Sequence, residues 1–219
     1  VISQLMGFVP HPGVNSPWLR RLRELRDRYH PDYTARSDGF INPKDFLHRL
    51  SQRLPEDAIY VADVGQNQIW SANHIAIQKG RFLTSGGMGT MGYSIPAAIG
   101  AKLAAPEQMV IAACGDGSFQ MQMMELATIC QDQVNVKMIL FRNNKLGMVK
   151  EIQKNAYGER YIATNLDGSP DFLTLVSAYG IPCRRVSDIA QAEEAIEAFL
   201  SAQGPYLLEC IVDPEESSK

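Results

Sequence analysis

Four short apolar runs stand out along the chain, at residues 58–62, 109–114, 136–141 and 206–212. Each is continuous rather than alternating, the pattern of a strand covered on both faces, as in a parallel sheet. Between them apolar positions recur at helical spacing. Phe46, Leu47, Leu50 and Leu54 form one stripe, and Asn42-Pro43 supplies its start: a capping side chain and a fixed φ in the first turn. Met123, Leu126, Ala127 and Cys130 form another and predict a helix over 119–131. Further helices are expected at 68–78, around 96–101, at 146–154, at 171–179, and at 188–202, the last capped by Ser187 and ended by Gly204. Short strands are expected at 81–84 and 183–186. Strand and helix alternate over 42–212. The expected fold class is therefore α/β: a doubly wound, mostly parallel sheet of about six strands with helices on both faces.

The first 40 residues do not share this pattern. Residues 1–17 are aperiodic, with Pro and Gly, and read as a linker. Residues 18–30 read as a basic helix with Leu19, Leu22 and Leu25 on one side. Its arginines have internal partners at i,i+4, Arg20–Glu24 and Arg23–Asp27, which points to a solvated helix rather than a nucleic-acid surface. The chain opens Val1-Ile2-Ser3 without an initiator Met, so a piece of a longer polypeptide is expected. Residues 155–169 form a long loop of the length often used for lids.

Composition narrows the function classes. The 219 residues are 45% hydrophobic and 21% charged, enough for a sizeable core, and the formal net charge of −3 gives no global reason to expect nucleic acid or membrane as partner. No apolar run is long enough to span a bilayer as a helix, and no segment reads as a secretory leader. The four cysteines, Cys114, Cys130, Cys183 and Cys210, form no CxxC and sit mostly in apolar runs. They read as free thiols of a reducing compartment, and the expected location is cytoplasmic.

The chemistry lies where two of the apolar runs end. One runs into Gly115-Asp116-Gly117-Ser118, the other into Arg142-Asn143-Asn144-Lys145. In a strand-turn-helix-strand unit of one sheet, Asp116 and Asn143 leave the carboxyl ends of parallel strands and can meet at one edge. A carboxylate and a carboxamide are hard oxygen donors, suited to Mg²⁺ or Ca²⁺ rather than zinc. Mg²⁺ fills the rest of its shell with waters and phosphate oxygens. The glycines beside Asp116 allow close approach, and the following helix aims its N-terminus at the same place. These residues propose a metal-bridged diphosphate. Gly87-Met88-Gly89-Thr90-Met91-Gly92 also fits a GxGxxG pattern, but that pattern should open the first strand-helix unit, and here the next strand runs into Gly115-Asp116-Gly117 instead, so that reading is set aside.

The Gly-Asp-Gly and Asn-Asn pair resembles the thiamine diphosphate (ThDP) motif of ThDP enzymes. The likeness extends to 63–70 (DVGQNQIW), 85–102 (SGGMGTMGYSIPAAIGAK), 115–128 (GDGSFQMQMMELAT) and 143–149 (NNKLGMV), which are similar to the C-terminal ThDP-binding domain of acetolactate synthases. The resemblance implies a ThDP-binding fold at 41–219, preceded at 1–40 by a linker and helix from a central domain that often carries FAD. It implies Mg²⁺ held by the Asp116 carboxylate, the Asn143 amide oxygen and the Lys145 backbone carbonyl. Gln66, Asn67, Gly117, Ser118, Gly147 and Met148 would lie around the cofactor. Gly89 and Met91 would contact its aminopyrimidine, with Met91 supporting its bent shape.

The implied reaction decarboxylates pyruvate and joins the two-carbon unit to a second 2-keto acid, a step of branched-chain amino acid biosynthesis. The implied partner is the pyrimidine-binding domain of a neighbouring subunit in a homodimer or homotetramer. That domain supplies a glutamate this chain lacks, so the chain alone is expected to be inactive. Three positions depart from the family: Asn67 replaces a usual His, Ile69 a usual Met, and Ile152 the Trp of the biosynthetic enzymes. Ile152 shares a helical face with Met148 and is the candidate substrate contact. The alternatives are another 2-keto acid decarboxylase, oxidase or acetyltransferase of the same group, or a ThDP-fold scaffold without catalysis.

Overall fold

The structure, a computed structural model, describes residues 16–29, 31–35 and 39–218. The chain divides into two compact units, residues 1–32 and 33–219. Most of the predicted linker at 1–17 lies outside the described residues.

The first unit holds helix α1 (Pro17–Arg28). Ser16 caps it, its hydroxyl accepting from the Leu19 N–H at 3.2 Å. No residue of α1 is buried. Its ion pairs are Arg21–Glu24 and Arg26–Asp27, not the expected Arg20–Glu24 and Arg23–Asp27. All four side chains are more than half exposed, and solvated pairs this weak do not dictate one geometry.

The second unit carries the sheet. In chain order it runs α2 (Pro43–Ser51), β1 (Ile59–Ala62), α3 (Gln66–His74), β2 (Arg81–Thr84), α4 (Ser94–Ala104), β3 (Val110–Gly115), α5 (Asp116–Gln122), α6 (Glu125–Gln131) and β4 (Val136–Arg142). It continues through α7 (Gly147–Ala156), α8 (Phe172–Ala178), β5 (Cys183–Val186), a 3₁₀ turn (Ile189–Gln191), α9 (Ala192–Ser201) and β6 (Tyr206–Ile211). All six strands are parallel, in the order β2-β1-β3-β4-β6-β5.

The continuous apolar strands have two buried faces, as their pattern requires. Tyr60, Ala62, Ile111, Ala113, Ile139, Phe141, Leu208 and Cys210 face one core with Phe46, Leu47 and Leu50 of α2, Trp70 of α3 and Phe199 of α9. Ile59, Val61, Val110, Ala112, Cys114, Met138, Leu140 and Leu207 face the other with α4, α5, α6 and α8. Asn42 caps α2 as expected, accepting from the Lys44 N–H at 3.0 Å.

Two local expectations are corrected. The helix expected over 119–131 is two helices, divided at Met123-Met124, and Ala127 is exposed while Phe119, Gln122, Leu126 and Ile129 are buried. The buried face differs because it includes Gln122, a polar residue in a core position. Its amide donates to Asp63 Oδ2 (2.9 Å) and Ser94 Oγ (3.2 Å) and accepts from the Ile95 N–H (2.8 Å). Apolar spacing cannot see a buried amide that is fully bonded. The cap near 188 is Asp188, not Ser187: its carboxylate accepts from the Ala190 N–H, opening the 3₁₀ turn before α9.

Candidate functional site

From β1 the chain crosses to β2 on one side, and from β3 it crosses to β4 on the other. The connections diverge at the carboxyl ends of β1 and β3, which makes a crevice at a topological switch point, the usual ligand position in an open α/β sheet. Three loops line it. After β1 come Val64, Gly65, Gln66 and Asn67; after β3, Asp116, Gly117 and Ser118; after β4, Asn143, Lys145, Leu146, Gly147 and Met148. Trp70, Met91, Gly115, Phe141, Val149 and Ile152 complete the lining. The space, counting its open mouth, is about 660 Å³, within the range of small-molecule pockets.

Of the twelve residues singled out in the sequence, eleven line this one cavity: Gln66, Asn67, Met91, Asp116, Gly117, Ser118, Asn143, Lys145, Gly147, Met148 and Ile152. Gly89 does not. It sits in the exposed loop after β2 with φ +63°, a left-handed conformation that favours glycine.

Asp116 is 1% exposed. Its two oxygens accept from the Gly117 N–H (2.9 Å) and the Asn144 N–H (2.6 Å). Asn144 reaches that position with φ +54°, and its own side chain is held by Arg142 Nε at 3.0 Å. Burial pushes the Asp116 carboxyl up to about 6 against these hydrogen bonds. Asn143 lies beside it. Its oxygen accepts from the Lys145 N–H (3.1 Å) and its nitrogen donates to Gln66 Oε1 (3.1 Å). Ser118 Oγ donates to the Val64 carbonyl at 3.2 Å, joining the loops after β1 and β3.

Among the described residues no three His, Cys, Asp or Glu side chains gather as a metal-binding group. The donors at this edge are instead hard oxygens, the Asp116 carboxylate and the Asn143 amide. That set suits Mg²⁺ with phosphate completing the shell. One further feature fits a polar ligand at this edge. Both side-chain polar atoms of Asn67 are buried with no protein partner. A Cβ on Gly117 would come within 2.7 Å of Leu146 Cδ2, and a Cβ on Gly147 would collide with Gln66 Oε1 at 1.8 Å. Leu146 and Gln66 pack so closely on these two glycines that neither position has room for a side chain.

Asp63 has no role assigned from the sequence. It is fully buried, and its oxygens accept from the N–H groups of Val64 (2.9 Å), Gly92 (3.1 Å) and Ser94 (2.7 Å) and from Gln122. Asp63 therefore ties the loop after β2, which brings Met91 to the cavity, to the carboxyl end of β1. The available signal was the one used for Asp116: an acid directly after a buried strand. The segment 163–166 was also unforeseen. The Leu146 N–H donates to the Thr164 carbonyl (2.8 Å) and the Leu166 N–H to the Asn144 carbonyl (2.9 Å), so the long loop braces the Asn143–Leu146 turn.

Residues 63–210 match the family model described as thiamine pyrophosphate enzyme, C-terminal TPP binding domain. The chain is 39% identical over 217 residues to the acetolactate synthase isozyme 2 large subunit of Escherichia coli (strain K12), an alignment that takes in 99% of this chain and 39% of that protein. It is 38% identical over 201 residues to the acetolactate synthase large subunit of Cyanidium caldarium, taking in 91% of this chain and 34% of that one. Against the probable acetolactate synthase large subunit of Methanocaldococcus jannaschii it is 39% identical over 207 residues, with 91% and 35% covered. The chain thus spans well under half the length of these curated relatives. The matched residues begin at Asp63 and run through both the Gly115–Ser118 and Asn143–Lys145 loops, so the stretch that builds the cavity is the stretch that carries the likeness: the chain belongs to the C-terminal TPP-binding domain family of thiamine pyrophosphate enzymes.

Proposed function

We propose that this chain is the ThDP- and Mg²⁺-binding part of an acetolactate synthase-type carboligase, acting on pyruvate and a second 2-keto acid. The carrying observation is the convergence of Asp116, Asn143, Lys145 and the unpartnered Asn67 amide in one switch-point cavity. The names of the relatives support this reaction class. Asp116, the Asn143 oxygen and the Lys145 carbonyl would hold Mg²⁺. The backbone at Gly117 and Gly147, with Gln66, Asn67 and Ser118, would hold the diphosphate. Met91 and Met148 would flank the rings, and Gly89 would set the loop that carries Met91. When bound, ThDP supplies the electron sink for decarboxylation; the protein supplies orientation and electrostatics.

The rest of the relatives' length leaves room for the other domains on this reading. Residues 1–40 would lead from a central domain, where FAD would reside, and 41–219 form the ThDP domain. The pyrimidine-binding domain of a neighbouring subunit would close the site, in a homodimer or homotetramer. Among the described residues no helix is long and apolar enough to cross a membrane. The buried free thiols of Cys114 and Cys210 support a reducing, cytoplasmic setting.

The test is calorimetric titration of ThDP with Mg²⁺ and with EDTA. Binding that needs Mg²⁺ is expected, and equally tight binding in EDTA would overturn the metal-bridged site. Pyruvate should yield acetolactate when the chain is joined to its remaining domains and not when the chain is alone. Acetolactate from the pure chain would refute the shared site.

A further inference from the structure

An amide has a donor end and an acceptor end, and only the oxygen can face a cation. If Asn143 is a metal ligand, its polarity must be set. One constraint is local: the Lys145 N–H donates to its oxygen. The other reaches across the fold. The Asn143 nitrogen donates to Gln66 Oε1, but Gln66 is itself an amide that could turn over. Its nitrogen faces two groups that can only accept, Glu151 Oε2 at 3.2 Å and the Glu216 backbone carbonyl at 2.8 Å. With both acceptors in place, Gln66 must turn its oxygen toward Asn143.

Glu151 is on α7 and lies outside the cofactor cavity, in the neighbouring cleft with Lys150, Lys154 and residues 214–217. Its oxygens also accept from Ser217 Oγ (3.1 Å) and the Ser218 N–H (3.2 Å), which hold the carboxylate in place. Burial pushes this carboxyl up, but the hydrogen bonds from Ser218, Gln66 and Ser217 outweigh it and keep the group below its ordinary value. At neutral pH it is an acceptor only.

We propose that Glu151 is a positioning residue: its carboxylate fixes the polarity of the Gln66 amide, and through it that of Asn143, so that the Asn143 oxygen faces the metal. The proposal rests on the Mg²⁺-ThDP reading of the cavity. Partners one layer out from a metal ligand are worth roughly 10–100-fold in metal affinity; that layer here is Gln66, and Glu151 stands one layer behind it. Because Glu216 and Lys145 supply backbone constraints that remain, a loss near the lower end is expected.

The test titrates Mg²⁺ into the 219-residue chain with saturating ThDP, comparing wild type with Glu151→Gln, Glu151→Met and both variants in an Asn143→Asp background. Glu151→Met should weaken Mg²⁺ about tenfold. Glu151→Gln should retain the wild-type affinity, because the Ser218 N–H donates to the same atom as Gln66 and holds the amide oxygen, not the nitrogen, in that place. In the Asn143→Asp background Glu151→Met should cost nothing further, since a carboxylate has no wrong end. A loss that persists in that background would show that Glu151 acts through the packing of α7 and would overturn the proposal, as would wild-type affinity in Glu151→Met. Failure of the cofactor reading itself would show first in the wild-type chain, as ThDP binding indifferent to Mg²⁺.

Discussion

The two ends of β4 treat their buried polar groups differently. Near the amino end, Lys137 is only 3% exposed, yet its ammonium is fully used by the protein: it donates to Asn135 Oδ1, to the Ala202 carbonyl at 2.6 Å and to the Gly204 carbonyl, tying the end of α9 to the sheet. At the carboxyl end, Asn143 and Asp116 keep lone pairs beyond those their backbone partners occupy, and Asn67 next to them has no partner at all. A buried polar group is not by itself a sign of function. What marks the carboxyl edge is hydrogen-bonding capacity that the protein leaves unspent, since an unmatched buried amide costs stability unless something else satisfies it.

The most severe break of this contrast is Asp116→Ala. Mg²⁺-dependent ThDP binding should be abolished while circular dichroism shows the fold intact, because the carboxylate contributes the only formal charge in the donor set. Retained Mg²⁺-dependent binding would show that the unspent capacity lies elsewhere. Asn67→Leu should separate stability from binding. The chain without ligand should gain about 1 kcal/mol in urea unfolding as an unsatisfied amide leaves the interior, while ThDP affinity falls. A loss of stability would mean that Asn67 serves the fold.

Ile152 lies at the cavity mouth and is 52% exposed, on a helix with no buried residue. On the proposed reading an indole there would pack on the extra methyl of 2-ketobutyrate, and the smaller Ile152 favours joining two pyruvates. Ile152→Trp in the longer enzyme should move acceptor preference roughly tenfold toward 2-ketobutyrate, the worth of one methylene in an apolar pocket. Competition between the two keto acids measures it, and an unchanged ratio would remove this position from specificity.

The smallest effect belongs to Lys137. Burial, with Lys102 nearby, pushes its ammonium down to about 8 from 10.5. The unfolded chain therefore holds the extra proton between pH 8 and 10.5, and wild-type stability should rise with pH across that window relative to Lys137→Met, by on the order of 1 kcal/mol. Parallel stability curves for the two chains would refute it.

The positions of the strands were legible because burial on both faces leaves a continuous apolar run, and every run read as a strand became one. The Asp116 and Asn143 loops were legible because hard donors and glycines directly follow those runs. Helix faces were less so. Gln122 occupies a core position that apolar spacing assigns to neighbours such as Ala127, because its stability there depends on Asp63 and Ser94, residues distant in the chain. The exposed pairs of α1 were misjudged for the opposite reason: nothing holds them in one arrangement.

By itself the amino-acid sequence determined the alternation of strand and helix, and placed carboxylate, carboxamide and glycine at strand ends. These are properties of neighbours along the chain, where periodicity and local backbone chemistry act. Only the tertiary structure decided the order β2-β1-β3-β4-β6-β5, and with it the switch point at which the three loops become one cavity. It also decided that Gln66 would stand between Asn143 on one side and Glu151 and Glu216 on the other. Such contacts join residues far apart in the chain, and their geometry exists only once the strands have paired and the helices have closed over both faces.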